Sequence, residues 1–279
     1  MPIVTITYAS SQGAFEYQLD LNESLNNERT ILNALRAGQV PEPEVLRTAR
    51  QILKPGDTVL DIGANIGGMT IPFAKMVGPS GRVVAAEPDP ANLDRLQENL
   101  GLNAPEAAVV RVVPAPVSAA PEEIVFHFNG DDSGGNALWD PARFPGNAAS
   151  AAAPRSVKMS AATIDGLMAD LAPENRPPKL LKIDTEGAEY LVVSGAQAAL
   201  RAHSIPFILA ELHEFGLAQL GHSEAMLRGF LRAHGYEMFE VFADERPPRL
   251  VSPAEGVSGP YIPNVLFAAP KDVQAVWFA

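Results

Sequence analysis

The chain has 279 residues, a formal net charge of −12 and no cysteine, which excludes disulfides, thiolate metal sites and thiol nucleophiles. Its 21 lysines and arginines are scattered rather than clustered, which argues against a nucleic-acid partner. Because 47% of the residues are hydrophobic, the chain can form a globular core. No apolar run nears the ~18 residues of a membrane span and no secretory signal is evident, so we expect a cytoplasmic protein that does not bind membranes.

The first 53 residues predict an N-terminal cap rather than a second domain. Alternating apolar residues over 1–20, interrupted by a Ser-Gln-Gly turn, indicate a β-hairpin. Residues 22–53 have the apolar spacing of helices, with a break at the Pro-Glu-Pro of 41–43. We expect this cap to cover one side of a site in the domain that follows, over 54–279.

A strand, a glycine-rich turn and a helix are predicted for residues 58–77. This order is typical of a nucleotide-type site at the carboxyl edge of a parallel sheet, because glycines allow a sharp turn and helix amides face the ligand. Alanine replaces the second glycine of the dinucleotide fingerprint, and the acid at the strand end suits a cation such as S-adenosylmethionine better than a pyrophosphate. The predicted cofactor residues here are Asp61, Gly63, Ala64, Asn65 and Gly67.

The next two strands complete the predicted cofactor site. A strand over 82–87 ends at Glu87, where an acid about twenty residues beyond the glycine turn can accept both hydroxyls of a ribose. A helix over 91–100 and a strand over 107–113 follow, and the segment after that strand should flank the adenine. Repeated strand–helix–strand units imply a parallel sheet. The further predicted contacts are Glu87, Pro88, Val117 and Ser118.

Residues 121–158 interrupt the strand–helix pattern and are predicted to be a lid or insertion. A strand over 122–129 is followed by a stretch rich in glycine, asparagine, proline and alanine. Loops this long in compact domains are usually lids or disordered segments. Trp139 and Phe144 either face the substrate or anchor the loop to the core, and we favour the anchor.

The fourth strand, over 179–183, ends in a turn crowded with ionisable groups. Alternation places Lys182 and Asp184 on the same side, while the turn leaves the direction of Glu186 open. Glu189 lies in the first turn of the next helix, where the helix dipole favours an acid. Asp184 ends an inner strand beside the first one, so it should face the transferred group.

The fifth strand, over 206–212, brings two further polar groups to the same edge. Glu211 and His213 are two residues apart and so lie on one side of an extended chain. They would emerge beside Asp184 if the fourth and fifth strands are neighbours. After a helix, two strands over 236–242 and 261–268 should form an antiparallel pair that closes the sheet.

These blocks resemble the FkbM family of S-adenosylmethionine-dependent methyltransferases, in the class I Rossmann-like group. The resemblance spans roughly residues 50–240 and rests on VLDIGANIG at 59–67, VVAAEPDP at 83–90, KIDTEGAE at 182–189 and Glu211-Leu212-His213. It implies an α/β fold with a mostly parallel seven-stranded sheet, S-adenosylmethionine as cofactor, and O-methylation of a small-molecule hydroxyl acceptor such as a sugar or polyketide. Ala119 departs from the family, which often has an acid after the serine.

The expected reaction is in-line displacement at the sulfonium methyl by a substrate hydroxyl. Alignment of the two reactants would remove roughly 7–11 kcal/mol of the barrier. His213 is the first candidate for the base, since neutral imidazole is available near pH 7, and Asp184 is the second. In a less favoured interpretation, Asp184, Glu211 and His213 hold a divalent metal that acidifies the hydroxyl.

Two other protein classes remain as alternatives. A Rossmann-type NAD-dependent oxidoreductase would share the strand–turn–helix and Glu87, but Ala64 and the lack of an obvious Tyr-Lys proton relay disfavour it. A non-catalytic S-adenosylmethionine-binding module is disfavoured by the presence of Asp61, Glu87 and Asp184. The sequence carries no signal for an oligomeric state.

Overall fold

A mostly parallel sheet of eight strands forms the centre of the molecule in the computed structural model, which describes residues 2–171, 176–252, 255 and 262–278. The strands are β1 (Ile3–Ser10), β2 (Gly13–Asp20), β3 (Thr58–Ile62), β4 (Arg82–Ala86), β5 (Val110–Val113), β6 (Glu123–Phe128), β7 (Arg155–Ser160), β8 (Pro178–Ile183), β9 (Phe207–Glu211), β10 (Glu237–Glu240), β11 (Arg249–Leu250) and β12 (Asn264–Ala268). The helices are α1 (Asn26–Arg36), α2 (Pro43–Ile52), α3 (Thr70–Val77), α4 (Pro90–Leu102), α5 (Ala148–Ala152), α6 (Ile164–Ala169), α7 (Glu189–Ser194), α8 (Gln197–Arg201), α9 (Glu214–Gln219), α10 (Glu224–Ala233) and α11 (Pro270–Trp277).

The strand order across the sheet is β11-β10-β12-β9-β8-β3-β4-β5. The strands from β9 to β5 run parallel, whereas β12 lies antiparallel between β9 and β10. This confirms the predicted Rossmann-like α/β class with its terminal antiparallel pair. The edge strand β11 has only two residues, too few for an alternating pattern, and it brings the sheet to eight strands where seven were predicted.

The two faces of the sheet pack against different helices. Leu60 and Ile183 face α6, α7, α8 and α10, whereas Val59 and Leu180 face α2, α3 and α11. Parallel strands covered on both sides are expected to be apolar throughout, and every residue of β3 is buried. The strand that leads into the glycine turn is therefore held firmly from both sides.

The N-terminal hairpin and α1 share a third apolar cluster with α3 and α4, in which Leu19 lies with Leu96. β1 and β2 pair antiparallel along their whole length, as predicted. Asn103 at the end of α4 fixes the hairpin, because its side chain accepts the backbone N–H of Gln18 at 2.9 Å and donates to the carbonyl of the same residue at 2.7 Å. The cap is thus attached to the helix that follows the second parallel strand.

Some predicted elements differ from the observed ones. The strand predicted over 107–113 begins as a 3-10 turn at Glu106–Val109, which leaves four residues for β5. The strand predicted over 122–129 is β6, but it pairs with β7 in a separate ribbon instead of joining the sheet. Tyr261, in the last predicted strand, lies outside the described residues. Among the described helices, none is long and apolar enough to cross a membrane.

Candidate active site

A cavity opens at the carboxyl edge of β3, β4 and β8, where the order of the strands reverses. Open parallel sheets bind their ligands at this kind of switch point. The cavity encloses about 580 Å³, including its mouth. Gly63, Asn65, Glu87 and Asp184 form part of its wall at the strand ends, and residues within 133–138 of the lid close another side.

The glycines of the turn are required by contacts within the protein. Gly63 has a φ of +84°, and a Cβ there would lie 1.8 Å from the carbonyl oxygen of Asp184. Gly67 has a φ of +93°, and a Cβ there would lie 2.8 Å from a methyl carbon of Leu96. The missing side chain at Gly63 lets the ends of β3 and β8 meet, so this glycine sets the position of Asp184.

Glu87 is held at the end of β4 by the surrounding backbone. Its Oε2 accepts the N–H of Asn65 at 2.9 Å, and its Oε1 accepts the N–H of Asp89 at 2.9 Å. Burial raises the pKa of Glu87 to about 7, against the opposing effect of these hydrogen bonds. Oε1 has a further, long contact of 3.5 Å with Nδ2 of Asn92. Each oxygen of a carboxylate can accept a second hydrogen bond, so Glu87 can bind a pair of hydroxyl groups when one of them replaces this contact.

Two oxygens near the turn are buried and have no hydrogen-bond partner among the described residues. They are Oδ1 of Asn65, a cavity residue with a left-handed φ of +49°, and Oδ1 of Asp61. Asp61 is fully buried, and its other oxygen accepts the hydroxyl of Thr70 at 2.6 Å. Leaving such an atom unpaired costs about 1–3 kcal/mol, so Asn65, which lines the cavity, favours a ligand that carries hydrogen-bond donors.

The predicted cofactor residues divide into those that line the cavity and those behind it. Pro88 and Val117 line it, as expected for a pocket that accepts an apolar ring. Ser118 is buried and instead packs its backbone against Gly195, where a Cβ would lie 2.3 Å from the Ser118 carbonyl oxygen. The predicted contacts that are not part of the wall are Asp61, Ala64, Gly67 and Ser118.

Two asparagines that the sequence analysis missed connect the lid to the loop after β4. Asn136 of the lid donates to Oδ2 of Asp89 at 2.7 Å, and Asn92 of α4 donates to the carbonyl of Ser133 at 3.2 Å. Single polar residues in a loop have no periodicity that could have indicated these partners. The available signal was the block VVAAEPDP at 83–90, which carried part of the family resemblance and ends just before Asn92.

Trp139 anchors the lid, as favoured from the sequence. Its side chain is buried, and its Nε1–H donates to the carbonyl oxygen of Glu186 at 2.6 Å. Phe144 remains 40% exposed and contacts Phe215 edge-on, with ring centroids 5.1 Å apart. Both aromatic rings also lie beside His213, so this part of the lid covers the end of β9.

Lys182, which is buried, and Asp184, which keeps 24% of its side chain exposed, form an ion pair at the end of β8, with 2.7 Å between Nζ and Oδ2. The predicted alternation of these two residues is thereby confirmed. Burial acts to raise the pKa of Asp184, but the Lys182 ammonium and a hydrogen bond with Glu211 together outweigh burial and hold that pKa below its usual range. Asp184 is therefore an anion on the wall of the cavity.

Glu186 and Glu211 place carboxyl oxygens within 4.8 Å of an oxygen of Asp184. Burial and the negative charge of Asp184 raise the pKa of both glutamates well above the usual range. The cluster therefore contains one anion, Asp184, and two carboxyl groups that hold their protons to a higher pH than usual. The backbone of Glu186 is left-handed, with a φ of +54°, which is why strand alternation could not give its direction.

His213 lies in this cluster, but both of its ring nitrogens are engaged. Its Nδ1 accepts the N–H of Gly216 at 2.8 Å and so caps α9. The neutral ring must then carry its proton on Nε2, which lies 3.3 Å from Oε2 of Glu186. Burial lowers the pKa of His213, which favours that neutral form. The structure does not support His213 as the base, because neither nitrogen has a free lone pair, and Asp184 becomes the first candidate.

The same geometry changes the ligand set of the metal hypothesis, which itself stays a prediction. The carboxyl oxygens that approach one another belong to Asp184, Glu186 and Glu211, so His213 is not part of the set. Lys182 already supplies a positive charge to Asp184 at 2.7 Å. The predicted preference for a transition metal depended on the imidazole of His213. The observed set consists of three carboxyl groups and does not include this imidazole.

A pair of glycines brings these groups together. A Cβ on Gly187 would lie 2.4 Å from the Cα of Gly216, and a Cβ on Gly216 would lie 2.8 Å from the Cα of Gly187. The chain after β8 and the start of α9 therefore touch through their backbones. This contact brings the carbonyl of Glu186 to the indole of Trp139 and places His213 next to both.

Comparison with known proteins gives one family match. Residues 61–238 match the family described as the methyltransferase FkbM domain. No curated protein matches the chain.

Three solved structures illustrate what the chain is similar to at low sequence identity. A methyltransferase FkbM from Methylobacillus flagellatus KT is 16% identical, with a TM-score of 0.43. The match covers 90% of this chain and 56% of that chain, so this chain spans little more than half the length of the Methylobacillus protein. A SAM-dependent O-methyltransferase from Thermotoga maritima is 13% identical, over 95% of this chain and 77% of that chain, with a TM-score of 0.43. Aeropyrum pernix fibrillarin, solved with natively bound S-adenosyl-L-methionine, is 15% identical, with a TM-score of 0.38. The match covers 86% of this chain and 74% of that chain.

Proposed function

Because the chain belongs to the FkbM methyltransferase family, with S-adenosylmethionine as its methyl donor, we propose that it methylates a hydroxyl group of a small acceptor such as a sugar or a polyketide. The observation that carries this proposal is the ionised Asp184 on the wall of the cofactor cavity, beside Glu186 and Glu211, whose pKa values are raised. A hydroxyl nucleophile must lose its proton as it is methylated, and Asp184 can receive that proton. The family assignment favours this function over an NAD-dependent oxidoreductase.

The residues of the cavity fit the groups of an adenosine-bearing cation. Glu87 would accept the two ribose hydroxyls, and Pro88 and Val117 offer apolar surface to the adenine. The unpaired Oδ1 of Asn65 would accept a hydrogen bond from an ammonium or hydroxyl donor. The negative charge of Asp184 on the cavity wall would stabilise the positive charge of a sulfonium bound there.

When bound, S-adenosylmethionine supplies an electrophilic methyl group on a sulfonium. Lys182 keeps Asp184 charged and fixes its position through the 2.7 Å ion pair. Asp184 orients the acceptor hydroxyl and takes its proton while the new oxygen–carbon bond forms and the carbon–sulfur bond breaks. Orientation contributes roughly 7–11 kcal/mol to such a reaction, and a base adds about 10²–10⁴-fold. The lid, tied down by Trp139, excludes water from this end of the site.

Two measurements test the proposal. Isothermal titration with S-adenosylhomocysteine should give binding at one site per chain, and absence of binding would refute the cofactor assignment. A library of hydroxylated compounds is then incubated with deuteromethyl-labelled S-adenosylmethionine, and products are found by their mass shift. Carbon NMR of a product should give a methoxyl signal; a methyl group found on nitrogen or carbon would rule out O-methylation.

Matched variants link the activity to the site. Asp184→Asn should reduce transfer about 10²–10⁴-fold while it still binds S-adenosylhomocysteine, because the proton acceptor is lost but the cavity remains. Asp94→Asn is the control, since Asp94 is exposed on α4 away from the cavity. Unchanged turnover in Asp184→Asn would show that Asp184 is not the base.

A further inference from the structure

The connection between α1 and α2 brings a glutamate of the cap to the polar strand ends. Glu42 stands between two prolines and has a φ of +45°, a left-handed conformation that residues with a Cβ rarely adopt. The neighbouring Glu44 accepts a hydrogen bond from Asn264 at 2.9 Å, and Asn264 pairs with Glu211 in the sheet. The start of α2 is therefore attached beside the fifth parallel strand.

The carboxyl group of Glu42 lies close enough to Asp184 for the charges of the two groups to interact. One of its oxygens is buried and has no hydrogen-bond partner among the described residues. Burial raises the pKa of Glu42 to about 7, and the nearby Lys182 acts in the opposite direction. The charged and titratable groups that face it are Lys182, Asp184, Asp61, Glu44, Glu211 and Tyr17.

Glu42 also forms part of a second, open groove. This groove lies between β1, α1 and the connection that carries Glu42, and it encloses about 1310 Å³, including its mouth. Its wall combines apolar side chains such as Ile31 with polar ones such as Arg47. The hydroxyl of Tyr8, on the same wall, is buried without a partner among the described residues.

The groove and the cofactor cavity have no lining residue in common. The cavity is lined by strand ends and the lid, whereas the groove is lined mainly by the cap. Glu42 in the groove and Asp184 in the cavity lie within electrostatic reach of each other and of Lys182. In-line transfer requires donor and acceptor on opposite sides of the reacting carbon, and the groove and the cavity are two separate spaces whose walls each contribute a carboxyl group to the polar cluster around Lys182.

We propose that this groove binds the methyl acceptor, a polyhydroxylated ring such as a glycoside, and that Glu42 contacts its hydroxyl groups next to Asp184. A sugar ring has hydroxyl edges and an apolar face, which match unpaired oxygens on Tyr8 and Glu42 and an apolar wall that includes Ile31. This inference rests on the proposed function, because it assigns the acceptor of that reaction.

Saturation-transfer NMR with a panel of methyl glycosides tests the groove directly, with and without S-adenosylhomocysteine. Ala34→Trp fills the groove from α1, and Asn33→Trp is the matched control because Asn33 is exposed on the same helix outside the groove. We expect glycoside signals with the wild type and Asn33→Trp and their loss with Ala34→Trp. Signals that persist in Ala34→Trp, or no glycoside binding to the wild type, would overturn the inference.

Glu42→Gln tests the contact with the hydroxyl groups. Glycoside affinity should fall roughly tenfold to a hundredfold, as expected for the loss of a hydrogen bond to a charged group. In the wild type the affinity should rise as the pH increases through about 7, where Glu42 ionises, and this rise should be absent in the variant. An unchanged pH profile would refute the role of Glu42.

S-adenosylhomocysteine titration of each variant separates the two proposals. Wild-type protein that binds glycosides but not S-adenosylhomocysteine would contradict the proposed function and not the groove. Protein that binds S-adenosylhomocysteine but no glycoside would contradict only the groove. Normal S-adenosylhomocysteine affinity in Ala34→Trp also shows that this variant is folded.

Discussion

Gly63→Ala is the smallest substitution that should separate the cofactor turn from the proposed base. A Cβ at this position would lie 1.8 Å from the carbonyl oxygen of Asp184 and 2.8 Å from its carbonyl carbon. The end of β3 or of β8 must therefore move by about 1 Å, because close-packed atoms cannot overlap. Either movement displaces Asp184 from the turn that holds the cofactor.

Two effects determine the size of the destabilisation. Alanine at the φ of +84° of Gly63 costs about 1–2 kcal/mol, and forcing an extra carbon into a packed site costs about 1–3 kcal/mol. The free energy of unfolding should therefore fall by about 2–5 kcal/mol. At about 2–4 °C per kcal/mol, the melting temperature should fall by roughly 4–20 °C. A misplacement of 1 Å can also slow transfer about 10²-fold.

Calorimetry and titration with S-adenosylhomocysteine measure both consequences. Gly68→Ala is the control, because it lies in the same turn, its φ is not in the left-handed region and a Cβ there meets no atom within 4 Å. The control should stay within about 0.5 kcal/mol of the wild type. Equal melting temperatures for Gly63→Ala and the wild type would refute the contact with Asp184.

Three further predictions follow from the site. Hydroxyl donors favour an ionised carboxylate, so binding of S-adenosylhomocysteine should lower the pKa of Glu87 from about 7 and release a proton near that pH. Calorimetric titration in buffers of different ionisation enthalpy should detect the released proton. Glu87→Gln should abolish this release. Lys182→Met leaves Asp184 without its buried partner and should cost about 3–5 kcal/mol at pH 8. Because the native pKa of Asp184 is lowered, its stabilising effect is present above the unfolded-state pKa and lost as the pH falls through the native one. The deficit measured by thermal melts should therefore shrink as the pH falls below the usual range of an aspartate pKa; a deficit independent of pH would contradict this. Trp139→Phe removes the donor to the Glu186 carbonyl, which should cost about 1–3 kcal/mol and speed hydrogen exchange in the lid; unchanged exchange would show that the lid is held elsewhere.

The parallel core could be predicted because each strand carries its own local signal. Between Val59 and Ile62 every residue except Asp61 is apolar, and a short apolar run bounded by turns is typical of a buried strand. The alternation of Lys182 and Asp184 correctly placed both side chains on one side, since β8 is regular up to Ile183. The helices flanking these strands showed comparable periodicity, so most of their bounds agree.

The chemistry of the site depended on contacts between distant segments, which sequence patterns do not contain. His213 looked like a base because imidazole titrates near pH 7, but a hydrogen bond from Gly216 occupies its Nδ1. Glu42 had no signal beyond its two flanking prolines, yet the packing of the cap brings it near Lys182. Gly63 was correctly expected in a sharp turn, whereas its contact with Asp184 arises only from the pairing of β3 with β8.

The backbone contact between Gly187 and Gly216 has a consequence for how this site can vary. A side chain at either position would collide with the other backbone, at 2.4 Å and 2.8 Å respectively. Neither glycine can therefore be exchanged while the other segment keeps its place. Among relatives with this arrangement, the two positions should change in concert, and a relative that loses one glycine should also show a different start to the helix after the fifth parallel strand.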